Sequence, residues 1–147
     1  MKKMRGIAIV EFTITATVLM VMLFGCIELA RMTYTLASLN EGTRRAARLA
    51  AVCPLNDPKI SAAVNFLGAP NFSASSNVVV NYLDANGNTL AGTPALSSVY
   101  YVRVSLQSYS IPLSIPTLSL SVTAPSYTVT LPAESLGLSG AGVSTAC

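Results

Sequence analysis

Gly6-Ile7-Ala8-Ile9-Val10-Glu11-Phe12 opens an apolar run that meets no further charge until Glu28. Lys2, Lys3 and Arg5 stand just before it, so a basic leader passes straight into hydrocarbon-like sequence. Residues 7–27 number 21, and a helix needs about 20 residues to cross a bilayer. Within that stretch Glu11 is the single carboxylate. An ionisable group in such a segment costs roughly 2.5–3.5 kcal/mol on insertion scales, which makes it a candidate functional residue. If the chain were cut after Gly6, Glu11 would be the fifth residue of a new N-terminus. Three basic residues precede the span and only Arg31 lies within about 15 residues after it, which predicts an N-terminus inside and a C-terminus outside.

The helical pattern continues beyond the span. No proline occurs before Pro54, and apolar or small residues recur at Leu29, Met32, Leu36, Leu39, Thr43, Ala46 and Ala50, alternately three and four apart. Glu28 with Arg31, and Glu41 with Arg44 or Arg45, are spaced as ion pairs on one helix. A helix over residues 7–52 would be about 69 Å long, with roughly half beyond a 30 Å hydrocarbon core. Cys53-Pro54 ends it. The apolar face outside lipid has two readings. It packs on the chain's own head, or it packs on copies or relatives of itself, with Ala46, Ala47, Ala50 and Ala51 allowing close approach.

Composition divides the chain at the same place. The 147 residues are 52% hydrophobic and 10% charged, yet after the helix the only charges are Asp57, Lys59, Asp84, Arg103 and Glu134. No basic patch recruits nucleic acid. The formal charge of +3 belongs to the leader, because without residues 1–6 six basic residues face six acidic ones. Cys26 lies in the apolar run, whereas Cys53 and Cys147 lie in the polar part; in an oxidising compartment those two are the natural disulfide pair, and otherwise they are free thiols.

Three readings of the N-terminus compete. An ordinary cleaved signal fits the basic residues but not the carboxylate in the apolar region, nor the lack of a small-residue site after it. A lipoprotein signal would use Leu23-Phe24-Gly25-Cys26, with bulky Phe24 out of place. A retained helix with a short leader removed on the cytoplasmic side uses every feature. Here the chain resembles type IV pilin-like proteins and, more narrowly, TadE-like minor pseudopilins of tight-adherence (Tad/Flp) pilus systems. Three stretches carry the resemblance: residues 6–12, Phe24-Gly25-Cys26-Ile27-Glu28-Leu29-Ala30-Arg31, and Asn40-Glu41-Gly42-Thr43-Arg44-Arg45-Ala46-Ala47-Arg48. They are similar to that family's Glu-Phe start, Phe-Gly-x-x-Glu-x-x-Arg segment and Gly-x-Arg-x-Ala-type segment. Thr15-Ala16-Thr17 stand where many members have a helix-kinking proline.

The resemblance implies cleavage between Gly6 and Ile7 by a prepilin peptidase, and a pair between Glu11 and the new α-amine of a neighbouring subunit that sets axial register. It implies other pilin or pseudopilin subunits as partners through the helix. The inner membrane would hold the chain before assembly, with the head periplasmic and then on the cell surface in a pilus that serves adherence. The rival is a membrane-anchored or lipidated periplasmic binding domain without a pilus role. Alternatively, Glu11 simply reaches the cytoplasmic interface.

The expected fold is α+β: a leader over residues 1–6, a long helix over 7–53 and a β-rich head over 57–147. Asp57-Pro58 reads as an N-cap and first position of one short helix with Ile60, Ala63, Val64 and Leu67 on a face, stopped by Gly68 and Pro70. After it the period changes to two. Val78, Val80 and Tyr82 mark one strand; Tyr100, Val102, Val104 and Leu106 the next, ended by Pro112 and Pro116. Leu118, Leu120 and Val122 mark a third, and Tyr127, Val129 and Leu131 a fourth. Asn86-Gly87 reads as a hairpin turn, and residues 132–147 as a loose tail unless Cys147 is tied down.

The head offers little chemistry. Asp84, Asn86 and Asn88 alternate like the opening of a calcium loop, but Gly87 is fourth rather than sixth and Ala95 stands where the bidentate Glu belongs. With no histidine, Ser-His-Asp and Cys-His arrangements are excluded. We expect no enzyme, no cofactor and no metal.

Overall fold

The structure is a computed structural model and describes residues 5–65, 69–115, 118–140, 142–144 and 146–147. The first element, α1 (Arg5–Val52), is one helix of 48 residues and contains Thr15-Ala16-Thr17 without interruption. Its end falls where Pro54 requires it, the last helical bond being Cys53 N–H to the Leu49 carbonyl at 2.7 Å. The described residues fall into two units, 5–34 and 35–147, so the head expected from residue 57 takes in the last part of α1.

Within that second unit, Thr35, Leu39, Thr43, Ala46, Ala47, Ala50 and Ala51 are buried on α1. The spacing is one helical face, and its small residues explain why other chain can lie close. A Cβ on Gly42 would stand 3.1 Å from the Cα of Val64. Thr43 keeps its hydroxyl satisfied in this apolar setting by donating to the Leu39 carbonyl at 2.8 Å. Of the two readings of this face, packing on the chain's own head is the one observed from Thr35 onward. Leu29, by contrast, is 62% exposed.

The short helix α2 (Pro58–Ala62) starts as the sequence dictates, with the Asp57 carboxylate accepting from Lys59 N–H at 2.8 Å and Pro58 in the first turn. It ends earlier than its apolar pattern suggests. Ile60 and Val64 are buried, and Leu67 and Gly68 lie outside the described residues. A second short helix, α3 (Ala74–Asn77), was not anticipated. It is held by Asn77, whose amide nitrogen donates to the carbonyls of Gln107 and Ser108 at 3.2 and 3.1 Å, and whose oxygen accepts from Ser73 N–H.

Among the described residues five strands follow: β1 (Val78–Leu83), β2 (Tyr101–Leu106), β3 (Ser110–Ile115), β4 (Leu118–Thr123) and β5 (Thr128–Pro132). They make an antiparallel sheet of order β1-β2-β5 and a two-stranded sheet β3-β4. The two sheets share one long ribbon. Facing residue numbers add to 233 along both β2·β5 and β3·β4, and the bonds Leu106 N–H to Tyr127 and Ala124 N–H to Tyr109 keep that register between them.

The inward side changes along this ribbon. Val102, Val104 and Leu106 are buried near its base, then Tyr109 and Ile111 beyond Ser108, whose φ of 52° takes up the one-residue change of face. Tyr109 is anchored by a bond from its hydroxyl to the Pro70 carbonyl and an edge-on contact with Phe72, with ring centres 5.3 Å apart.

Pro112 does not end a strand, as its sequence position suggested; it lies in the middle of β3. Hydrogen-bonded pairs alternate along an antiparallel ladder, and counting from Tyr109–Ala124 the next are Ile111–Val122 and Leu113–Leu120. Pro112 therefore falls where an N–H would point away from β4, and no ladder bond is lost. Asn86-Gly87 forms a turn, with Gly87 at φ 82°, but closes only an isolated bridge of Leu83 with Thr89; the ladder partner of β1 is β2.

The C-terminal segment is tied down. Glu134 and Leu136 N–H groups donate to the Ala51 carbonyl, and Gly137 N–H donates to Val52 at 2.7 Å. Ser135 Oγ also donates to Val52, and Leu136 is buried. These bonds satisfy carbonyls that the end of a helix leaves open. Cys147 is joined by a disulfide to buried Cys53, with the Cα atoms 5.7 Å apart.

Candidate functional site in the N-terminal helix

Residues 6–34 of α1 form a unit without a core. Ile7, Val10, Phe12, Ile14 and Phe24 are each more than half exposed, and the most apolar 18-residue stretch has nothing buried in it. By length and composition this helix is able to cross a membrane.

Its hydroxyls are arranged for an apolar medium. Thr13, Thr15 and Thr17 donate to the carbonyls of Ile9, Glu11 and Thr13 at 2.8, 2.9 and 2.7 Å. A threonine that returns its proton to the preceding turn presents mostly a methyl group outward. Glu28 and Arg31 neutralise each other through two hydrogen bonds, as their spacing predicts.

Glu11 differs from all of these. Its side chain is exposed and, among the described residues, has no hydrogen bond or ion pair. Ile7 lies four residues before it, one turn away on the same face. Gly6 adds a second oddity: a Cβ built there would meet nothing within 4 Å. Glycine in a helix costs about 1 kcal/mol relative to alanine, and no close approach here requires it. Helix α1 thus brings Gly6, Ile7 and Glu11 into its first two turns, while the Cys53–Cys147 pair belongs to the other unit.

In the head, the described residues hold no group of three or more metal-ligating acidic or sulfur side chains. A hollow of about 220 Å³ lined by Asn56, Asp57, Pro58, Ile60, Ser61 and Val80 contains one carboxylate, already spent on capping α2. Tyr82 accepts a bond from Asn56 N–H at 2.8 Å. Burial pushes its phenol above the usual tyrosine range, against the lowering effect of that bond, and the Asp57 charge adds to the rise. Asp84 lies below the usual carboxylate range because Asn88, and then Asn86 and Gly87, donate hydrogen bonds to it. Those donors make it the closure of a turn rather than an open ligand.

The strap formed by residues 134–137 is the feature that pattern reading missed. Its one signal is Gly137 directly after an apolar residue: at φ 81° it passes so near Pro54 that a Cβ would lie 2.6 Å from Cγ.

Compared with known proteins, residues 6–48 match the family described as TadE-like protein. The match covers the stretches on which the resemblance was read. No curated protein and no solved structure matches. The matched stretch is 43 of the 147 residues, so the likeness to that family is carried by the long helix and not by the β-rich head.

Proposed function

We propose that this chain is a minor pilin: a subunit cut between Gly6 and Ile7 by a prepilin peptidase, held in the inner membrane by residues 7–27, and then incorporated into a Tad/Flp-type pilus that serves adherence. The observation that carries this reading is Glu11, a carboxylate without a partner among the described residues, near the start of an exposed apolar helix and within the stretch similar to the TadE-like family.

Cleavage would create an α-amine on Ile7, with a reference pKa of about 7.7–8. Neither charge is well placed alone in hydrocarbon. Each favours the other within about 4–6 Å, and a pair made between subunits fixes axial register more effectively than it adds net stability.

The N-terminus of protein taken from its native host tests the reading. Mass spectrometry should find a chain beginning at Ile7; a retained residue 1–6 segment, or lipid on Cys26, overturns it. In the assembled state, Glu11→Ala should be cleaved and inserted as usual yet be absent from sheared pili. Normal incorporation of that variant would remove Glu11 from the role given to it.

A further inference from the structure

One side of the long ribbon ends both sheets, β5 in one and β4 in the other, so residues 118–132 form an outer edge. Natural proteins guard such edges with charge, proline or cover. Strand β4, Leu118-Ser119-Leu120-Ser121-Val122-Thr123, has neither charge nor proline, and residues 119–123 are all exposed. Not one charged side chain occurs between Arg103 and Glu134.

The ladder shows what this edge offers. Leu120 and Val122 turn their peptide groups toward β3, as derived above. Ser119, Ser121 and Thr123 therefore turn theirs outward. Their side chains share the hydroxyl face, opposite Leu120 and Val122, which are 47% and 38% exposed. An array of alternating backbone donors and acceptors calls for another strand, and an uncharged edge calls for an uncharged one.

We propose that the β4 edge is a docking site for the β4 edge of a second copy of this chain, paired antiparallel about a two-fold axis at Ser121. That register sets Ser121 opposite itself, Ser119 opposite Thr123, and Leu120 opposite Val122. All three outward-facing residues are then hydrogen-bonded, and the apolar face continues across the junction. No like charges meet, which is the condition a self-pairing edge must satisfy. The inference goes beyond the pilin reading and is independent of whether the leader is cut.

The experiment uses the full chain in detergent or membranes, with Cys26→Ser to remove the free thiol. Facing residues in a hydrogen-bonded antiparallel pair have Cα atoms about 5.5 Å apart, within disulfide range. Ser121→Cys under mild oxidation should give a dimer on non-reducing gels, whereas Ser97→Cys, exposed in the 3-10 turn Leu96–Ser98, should not. Adding Ser119→Pro removes an outward donor without touching the β3 ladder, as Pro112 does on the opposite strand. Two-fold symmetry makes that two lost bonds, and the dimer should weaken about tenfold or more with an unchanged circular dichroism spectrum. Equal cross-linking from Ser121→Cys and Ser97→Cys overturns the proposal. So does a Ser121→Cys adduct only with a different polypeptide, or an undiminished dimer in the proline variant.

Discussion

Gly42 and Gly137 both sit against other chain, yet substitution should treat them differently. At Gly42 the backbone is ordinary helix and a methyl group would stand 3.1 Å from Val64. Alanine gains about 1 kcal/mol of helix propensity there and loses a similar amount to the contact, so Gly42→Ala should be near neutral while Gly42→Leu destabilises by about 2 kcal/mol. Gly137 combines φ 81° with contacts of 2.6 and 2.8 Å to Pro54. Gly137→Ala should cost about 2–3 kcal/mol, read as a lower urea midpoint.

Two titratable groups give opposite pH signatures at this scale. The folded state lowers the Asp84 pKa, so its contribution is full above the unfolded value near 3.8 and disappears as pH falls through the lower folded value. A urea midpoint that declines between about pH 5 and 2, and declines less in Asp84→Asn, checks it. The folded state raises the Tyr82 pKa, so that stabilisation is full below about 10 and is lost as pH rises through the folded value. Tyr82→Phe leaves Asn56 N–H without its partner and should cost about 1 kcal/mol.

At the scale of elements, α1 shows what pattern can and cannot specify. Its end at Val52, the Asp57 cap of α2 and the paired Glu28 and Arg31 were all legible, because each depends on residues within a turn or two. The partner of the Thr35-to-Ala51 face was not. A stripe of small and apolar residues says that something approaches, and only tertiary structure says what.

The same limit explains β3. Pro112 reads as a strand breaker until the ladder phase, set by Tyr109 and Ala124, shows its nitrogen pointing outward. The candidate site had the reverse character. Gly6, Ile7 and Glu11 fall together in the first two turns of a bare helix, so their placement depends on spacing along one element and on no tertiary contact. A bulky residue on the packed face tests the element: Ala46→Leu should destabilise the head by about 1–3 kcal/mol, whereas Ala30→Leu, on the exposed part of the helix, should leave unfolding unchanged.

At the scale of the molecule, the second unit is closed by its C-terminal segment. The disulfide links positions 94 apart, so the whole β-rich part lies within one covalent loop that begins just after α1. In the chain-entropy account a loop of about that length removes roughly 4–5 kcal/mol of denatured-state freedom. The strap at residues 134–137 delivers Cys147 to this point by bonding the last carbonyls of α1, so the covalent and hydrogen-bonded closures act on the same place.

Cys147→Ser should therefore lower the urea midpoint of the head by about 2 M, taking a slope of about 2 kcal/mol per M for a unit of this size. Reductant should produce the same shift in the unaltered protein and none in the variant. The two closures should also be coupled: Gly137→Ala combined with Cys147→Ser should cost less than the sum of the two, because once the strap is displaced the cysteines are no longer held together. Additive costs would show that the disulfide stabilises the head independently of the strap.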